Sequence, residues 1–243
     1  MWPAIGALAG LVILVGLGSW QMSRKAWKEG LLARIAARVE AEPVALADAL
    51  RLWRETGDVE YLHVRTTGRF RHDAERHVFT VDDKLGPGYH VYAALETSDS
   101  RIVLVNRGFV PARLKDAGAR PGGQPLGDVR LTGLVRVPAE RGWFLPDSDP
   151  ERNMFYWPDY AVMLRLVRQG GIDKPEPVPF FIDADARPAN LGGFPQGGTT
   201  RLALPNRHLE YALTWYGLAL TLAGVFAVFA AGRLRTVSPP STL

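Results

Sequence analysis

The chain has 243 residues, 47% hydrophobic and 22% charged, with a formal net charge of +4. That excess is too small, and the basic residues too dispersed, to point to nucleic acid. The absence of cysteine excludes disulfides, zinc–thiolate sites and cysteine nucleophiles.

Two uncharged apolar runs lie at opposite ends, Met1 to Trp20 and Tyr211 to Gly232. Each holds about 20 residues, enough at about 1.5 Å per residue to cross a hydrocarbon core of roughly 30 Å. Gln21 to Glu210 holds nearly all the charge and reads as one soluble domain, with residues 233–243 left as a tail. Met1-Trp2-Pro3 carries no Lys or Arg, and no small-x-small site marks Trp20-Gln21. The first run is therefore expected to be a retained anchor rather than a signal peptide. No Arg- and Ser-rich transit segment precedes it, so a bacterial membrane protein is expected rather than a mitochondrial precursor. Charge leaves the orientation open. Arg24, Lys25 and Lys28 follow the first run, and Arg233 and Arg235 the second. A positive-inside count would put the domain in the cytoplasm, but the connecting segment far exceeds the loops that obey that rule.

Trp20, Arg24, Trp27 and Leu31 share one helical face, so the first helix is expected to leave the membrane and run to about Val39, with Pro43 ending it. A short helix over Leu46–Glu55 stops at Gly57. From Tyr61 the period becomes two. Alternation predicts strands over 61–67, 89–96 and 129–137, and short runs at 77–81 and 180–182 add two more. Ile102-Val103-Leu104-Val105 is apolar throughout and reads as a central strand. Gly86-Pro87-Gly88 and Pro121-Gly122-Gly123 read as loops. A helix is expected near 158–169, and Gly192–Thr200 is a Gly-rich loop running through Pro205 and Asn206 into the second span. The expected fold is α+β: two membrane helices flanking a mainly antiparallel sheet or partly closed barrel.

His208, Tyr211 and Trp215 fall on one face at the start of the second span. A neutral imidazole there can ligate haem iron beside flat aromatics. The same three residues also fit a plain interfacial belt. Gly6, Gly10 and Gly18 on one span, and Gly217, Thr221 and Gly224 on the other, predict that the spans pack side by side, bringing Trp20 and His208 to one membrane face. Gly193–Thr199 imitates a phosphate loop but lacks the lysine that would follow its last glycine. Asp183-Ala184-Asp185 and Asp147-Ser148-Asp149 lack the Gly and terminal Glu of a calcium loop. They are the sole support for a third reading, a membrane-tethered hydrolase. No G-x-S-x-G and no H-E-x-x-H is present. Arg107 follows the most apolar strand directly, at the core edge, and should meet a carboxylate there, with Asp183 and Asp185 as candidates.

Leu17-Gly18-Ser19-Trp20-Gln21 with Arg24 and Trp27-Lys28 resembles the exit from the first span in the surfeit locus protein 1 family. Val105-Asn106-Arg107-Gly108-Phe109-Val110-Pro111 resembles that family's central signature. Pro150-Glu151-Arg152-Asn153, Phe181-Ile182-Asp183-Ala184 and Asn206 through Gly217 are similar to three further blocks, all in the family's order. Phe155-Tyr156-Trp157 stands where many relatives vary. The resemblance implies an assembly factor, not an enzyme, for haem–copper oxidases, chiefly cytochrome c oxidase. It would act when haem a enters the large oxidase subunit. It implies haem a as a transient cofactor with His208 as axial ligand and no other metal. Partners would be the large subunit, the haem a synthesis machinery and the membrane. Trp20, Tyr211 and Trp215 would border the ring, Arg24 or Arg207 would face the propionates, and Arg107-Gly108 would be structural. It also implies both termini inside and the domain on the periplasmic side of a bacterial cytoplasmic membrane. The alternative is a haem-free scaffold that stabilises an oxidase subunit.

Overall fold

The computed structural model describes residues 2–171, 175–200, 202 and 206–236, with side chains to 233. Pro205 and the Pro/Ser-rich end of the tail lie outside the described residues. Two compact units are distinguished: the N-terminal 35 residues together with the chain from Leu202 onward, and Ala36–Arg201.

The first unit is built on two helices, α1 (Trp2–Glu40) and α4 (His208–Thr236). Both are long and apolar enough to cross a membrane. Past Trp20, α1 turns charged, and Lys25 pairs with Glu29 one turn on, at 2.6 Å. The helices run antiparallel. A Cβ added at Gly10 would meet Leu222, one added at Gly18 would meet the Tyr216 ring at 2.6 Å, and Gln21 reaches His208. Side-by-side spans are therefore as expected, but the small-residue stripe on α4 is not the seam. A Cβ at Gly217 or Gly224 would touch nothing within 4 Å, and neither would one at Gly6. Thr221 bonds back to the Gly217 carbonyl. Ala212 and Ala219 are the buried positions instead, seven residues apart and on one face.

The second unit is a ring of five strands. Its elements are β1 (Val44–Ala45), α2 (Leu46–Thr56), β2 (His63–Asp82), β3 (Gly86–Thr97), β4 (Arg101–Pro111), β5 (Asp128–Arg136), α3 (Tyr160–Gln169) and β6 (Glu176–Ala184). Around the ring, β2–β3, β3–β4, β6–β5 and β5–β2 are antiparallel and β4–β6 is parallel. Closure depends on β2. Its first half pairs with β5 from His63↔Leu134 to Arg69↔Asp128, while from Gly68 onward it pairs with β3. The two runs expected at 61–67 and 77–81 are thus one strand, interrupted between Arg71 and Arg76. Gly86-Pro87-Gly88 opens β3 instead of forming a loop. Residues 112–123 form three short 3-10 turns.

Side-chain alternation divides two cores. Val64, Leu95, Val103, Val105, Phe180 and Ile182 point inward, and Leu46, Ala49 and Leu50 of α2 pack on them. Gly57 ends α2 in a left-handed conformation, its N–H bonded to the Trp53 carbonyl. Tyr92, Ala94, Ile102, Leu104 and Phe181 point outward under Met163 and Val167 of α3. Asp159 caps α3 by accepting from the Val162 N–H at 3.0 Å. Because β4 is buried on both faces, its sequence is apolar without alternation.

Gly108 fixes how β4 meets the Gly-rich loop. Between the pairs Tyr92↔Asn106 and His90↔Phe109, β4 carries two residues against one on β3, a gain of one, and Gly108 lies in that irregularity at φ +112°. Gln196 and Phe109 exchange two backbone hydrogen bonds of 2.8 and 2.9 Å. A Cβ on Gly108 would sit 1.9 Å from the Gln196 carbonyl oxygen. Gly108→Ala is therefore expected to cost about 3 kcal/mol or more, from backbone strain plus loss of the paired bonds. Denaturant unfolding followed by far-UV circular dichroism checks this, and a loss under about 1 kcal/mol would contradict it.

Candidate functional site

His208 is the first residue of α4, and its Nδ1 lies 2.7 Å from Oε1 of Gln21 on α1. Oε1 only accepts, so Nδ1 is assigned the proton, and in the neutral imidazole Nε2 then holds the lone pair. Among the described residues Nε2 has no hydrogen-bond partner. A ring nitrogen fixed by a polar neighbour, with the other left basic, is the usual arrangement of a metal-binding imidazole. Tyr211 and Trp215 follow one and two turns along α4, the first 52% exposed and the second half-buried. Trp20 precedes Gln21 and is 55% exposed. Both arginines stand at the surface. Arg24 stacks over Trp27 with its guanidinium carbon 4.3 Å from the ring centre, and Arg207 pairs with Glu210 at 2.8 Å. The hydroxyls of Ser19 and Tyr216 meet at 3.2 Å. Gln21 is the residue that sequence reasoning did not assign to the site. Its signal was its place directly after the last apolar residue of the first run.

The second polar constellation lies wholly in the ring unit. Arg107 does not meet Asp183 or Asp185. In the β4–β6 register Asn106 stands opposite Asp183 and donates to it at 3.0 Å, which turns the next side chain to the other face. Arg107 continues the inward row of Val103 and Val105, its guanidinium 4.6 Å over the Phe70 ring. It donates to the Gly123 carbonyl at 2.7 Å, to Asn190 Oδ1 at 3.0 Å and to Glu75 at 3.4 Å. Glu75, buried in the interruption of β2, also accepts from Arg120 and from Gln124 at 3.1 Å. Burial pushes the Glu75 carboxyl up, but His72 at 3.9 Å, the hydrogen bonds from Arg120 and Gln124 and the Arg120 charge outweigh it and hold the pKa at about 2. Burial takes Arg107 down to about 10.

His77 borders the same cluster. Asn153 donates from Nδ2 to His77 Nδ1 at 3.0 Å and accepts the His77 backbone N–H through Oδ1. The ring proton is thereby assigned to Nε2, 3.9 Å from Glu75 Oε2. Burial first, then the charges of Lys115 and Arg120, lower its pKa to about 4 against the pull of Glu75.

The remaining sequence candidates are occupied by structural work. Asp183 accepts from Asn106 and Thr200, Asp185 bonds His63 at 2.8 Å, Asp147 bonds Arg141, and Asp149 accepts from the Arg152 N–H. Among the described residues no group of three or more His, Asp or Glu side chains could hold a metal ion. The Gly-rich loop pairs with β4 through Gln196 instead of opening a helix, so it lacks the donor-rich N-terminus of a phosphate loop.

The family model described as "SURF1 family" matches residues 8–220, a span that includes Gln21, Arg107 and His208. The chain belongs to the SURF1 family. It is 39% identical to Surfeit locus protein 1 of Mus musculus over 219 residues, covering 84% of this chain and 67% of that one. It is 38% identical to a SURF1-like protein of Monosiga brevicollis, covering 87% and 82%. Against Surfeit locus protein 1 of Homo sapiens it is 36% identical, covering 86% and 71%.

The Glu75 cluster of this SURF1 family member yields two predictions. Glu75→Gln leaves two buried guanidiniums without a counter-charge and should destabilise the ring unit by about 3–5 kcal/mol. Far-UV unfolding measures it, and a neutral result would show the cluster is not held by charge. Acid should act in two windows. The folded His77 prefers its neutral form and the unfolded chain binds the proton more readily, so stability is complete above pH 6.5 and falls towards about pH 4. Glu75 is likewise depressed, so its contribution is complete above pH 4.5 and falls towards about pH 2. In His77→Gln the melting temperature should stay flatter between pH 6.5 and 4 while the lower window remains. A profile identical to the unsubstituted protein's would refute the assignment.

Proposed function

We propose that the chain assists assembly of cytochrome c oxidase by holding haem a transiently at the junction of its two spans before it enters the large oxidase subunit. Membership of the SURF1 family supports the oxidase role. The observation that supports the haem role is the 2.7 Å bond from His208 Nδ1 to Gln21, which leaves Nε2 as a directed lone pair. The donor set fits the cargo. Trp20, Tyr211 and Trp215 offer flat apolar surface to a macrocycle, and Arg24 or Arg207 offers a guanidinium to a propionate. A single protein ligand suits a cargo that must leave, because a second strong axial bond would oppose release. Haem a would come from its synthesis machinery in the same membrane, a bacterial cytoplasmic membrane with the domain on the periplasmic side. The reading assigns no catalytic step to the chain.

One observation favours a second reading. The His208–Gln21 bond also staples α1 to α4, as a haem-free scaffold for an oxidase subunit would need. Visible spectra of protein purified from cells that make haem a separate the two. Under the haem reading, His208→Ala should lose the haem band. Gln21→Leu, with the ligand present but unsupported, should bind roughly 10–100-fold more weakly. Trp215→Ala should weaken binding less, since the iron bond remains. Unchanged haem content in His208→Ala, or a colourless protein that still supports oxidase assembly, would favour the scaffold.

A further inference from the structure

The tip of the β2–β3 hairpin carries an exposed apolar face. Phe79 pairs with Tyr89 and Val81 with Pro87, and paired residues of antiparallel strands share a face. Phe79, Val81 and Leu85 are 39%, 51% and 45% exposed, and Pro87 is exposed as well. The turn is internally satisfied. Asp82 Oδ1 accepts from the Lys84 and Leu85 N–H groups, so the tip is held with Leu85 outward. Aromatics flank the patch, with Tyr89 and Tyr156 edge-on to Phe79 at 6.0 and 6.2 Å. Asp82, Asp83 and Lys84 leave the turn with one net negative charge.

Chain connectivity limits what can cover this face. The turn at 80–85, His90 and Gln196–Thr199 line one cavity of about 530 Å³, and Thr199 lies 3.4 Å from His90. The hairpin is thus beside the segment that leads into α4. From Thr200 to His208 the chain makes eight steps, which reach about 29 Å at most. At its far end a helix apolar enough to cross a membrane begins.

We infer that the hairpin tip dips into the headgroup–acyl boundary of the bilayer that the chain's own spans cross. Val81, Leu85 and Phe79 would enter first, with Tyr89 and Tyr156 at headgroup depth, where amphipathic rings collect. With one net negative charge at the turn, nothing there calls for anionic lipid, and zwitterionic lipid is the surface it fits. This contact would give the ring unit a third attachment to the membrane besides its two helices.

The chain has no cysteine, so Val81→Cys takes one environment-sensitive fluorophore without further changes. The full chain is reconstituted in phosphatidylcholine vesicles, with and without lipid bearing a quencher high on its acyl chain. Glu55→Cys on α2 is the control. The label at 81 should emit to the blue of the label at 55 and be quenched several-fold more by the lipid. Equal emission and equal weak quenching at both positions would overturn the inference. So would a blue-shifted label at 81 that lipid fails to quench, which would mean that protein, such as a second copy, covers the face. Leu85→Cys, labelled in the same way, repeats the measurement if the first variant does not fold.

Discussion

One buried carboxylate holds together the segments that give the ring its irregular side. Glu75 takes hydrogen bonds from Arg107 on β4, and from Arg120 and Gln124 on the connection to β5. Those segments are far apart in sequence, and the 3-10 turns between β4 and β5 offer little apolar surface of their own. Two guanidiniums against one carboxylate leave a positive excess in a buried place. That is tolerable only because the backbone carbonyls of Gly123, Leu114 and Lys115 and the Asn190 side chain take the remaining donors. The carboxylate must stay ionised, and its depressed pKa expresses that requirement.

The cluster also accounts for two of the interruptions in the ring. β2 loses register between Arg71 and Arg76, which delivers Glu75 to the interior, and β4 is irregular at Arg107–Gly108. Regular pairing at either place would rotate a charged side chain onto the wrong face or close the groove that the Gln196 carbonyl occupies. Gly108 and Arg107 are thus two parts of one arrangement. The arginine ends the inward row, and the glycine lets the returning loop lock above it.

How much of this could be read in the sequence depends on the range of each interaction. The membrane helices, the extension of α1, α2 with its glycine stop and most strands rest on periodicity, which is local, and they lie close to where the residues predicted. Ring closure depends on β2 pairing with β5 some sixty residues away, and no local pattern carries that. Arg107 shows how near the reading came. Its place at the core edge was legible, but the choice of Asp183 overlooked alternation. Asp183 shares its row with Phe181, which faces α3, whereas Arg107 shares its row with Val105, which faces inward. Glu75 itself was hidden because Arg71–His77 reads as a charged stretch between two short strands rather than as a break within one. On α4 the glycines suggested a seam, but the alanines form it. A methyl group fills a helix interface that a bare glycine would leave empty.

The junction of the spans obeys a different constraint from the ring. There the polar groups stand where apolar helices end, and a polar side chain at that depth is costly unless it is paired. Gln21 and His208 satisfy each other, and a single bond uses one imidazole nitrogen while leaving the second basic. Had both nitrogens been bound to protein, His208 would be a staple and nothing more. Had neither been bound, its tautomer and direction would be undefined. The amide is neutral and cannot add a full charge to the ring, so it fixes direction with little gain in basicity compared with a carboxylate. Under the proposed haem role that balance would suit brief holding, because orientation speeds capture while modest basicity limits the strength of the bond.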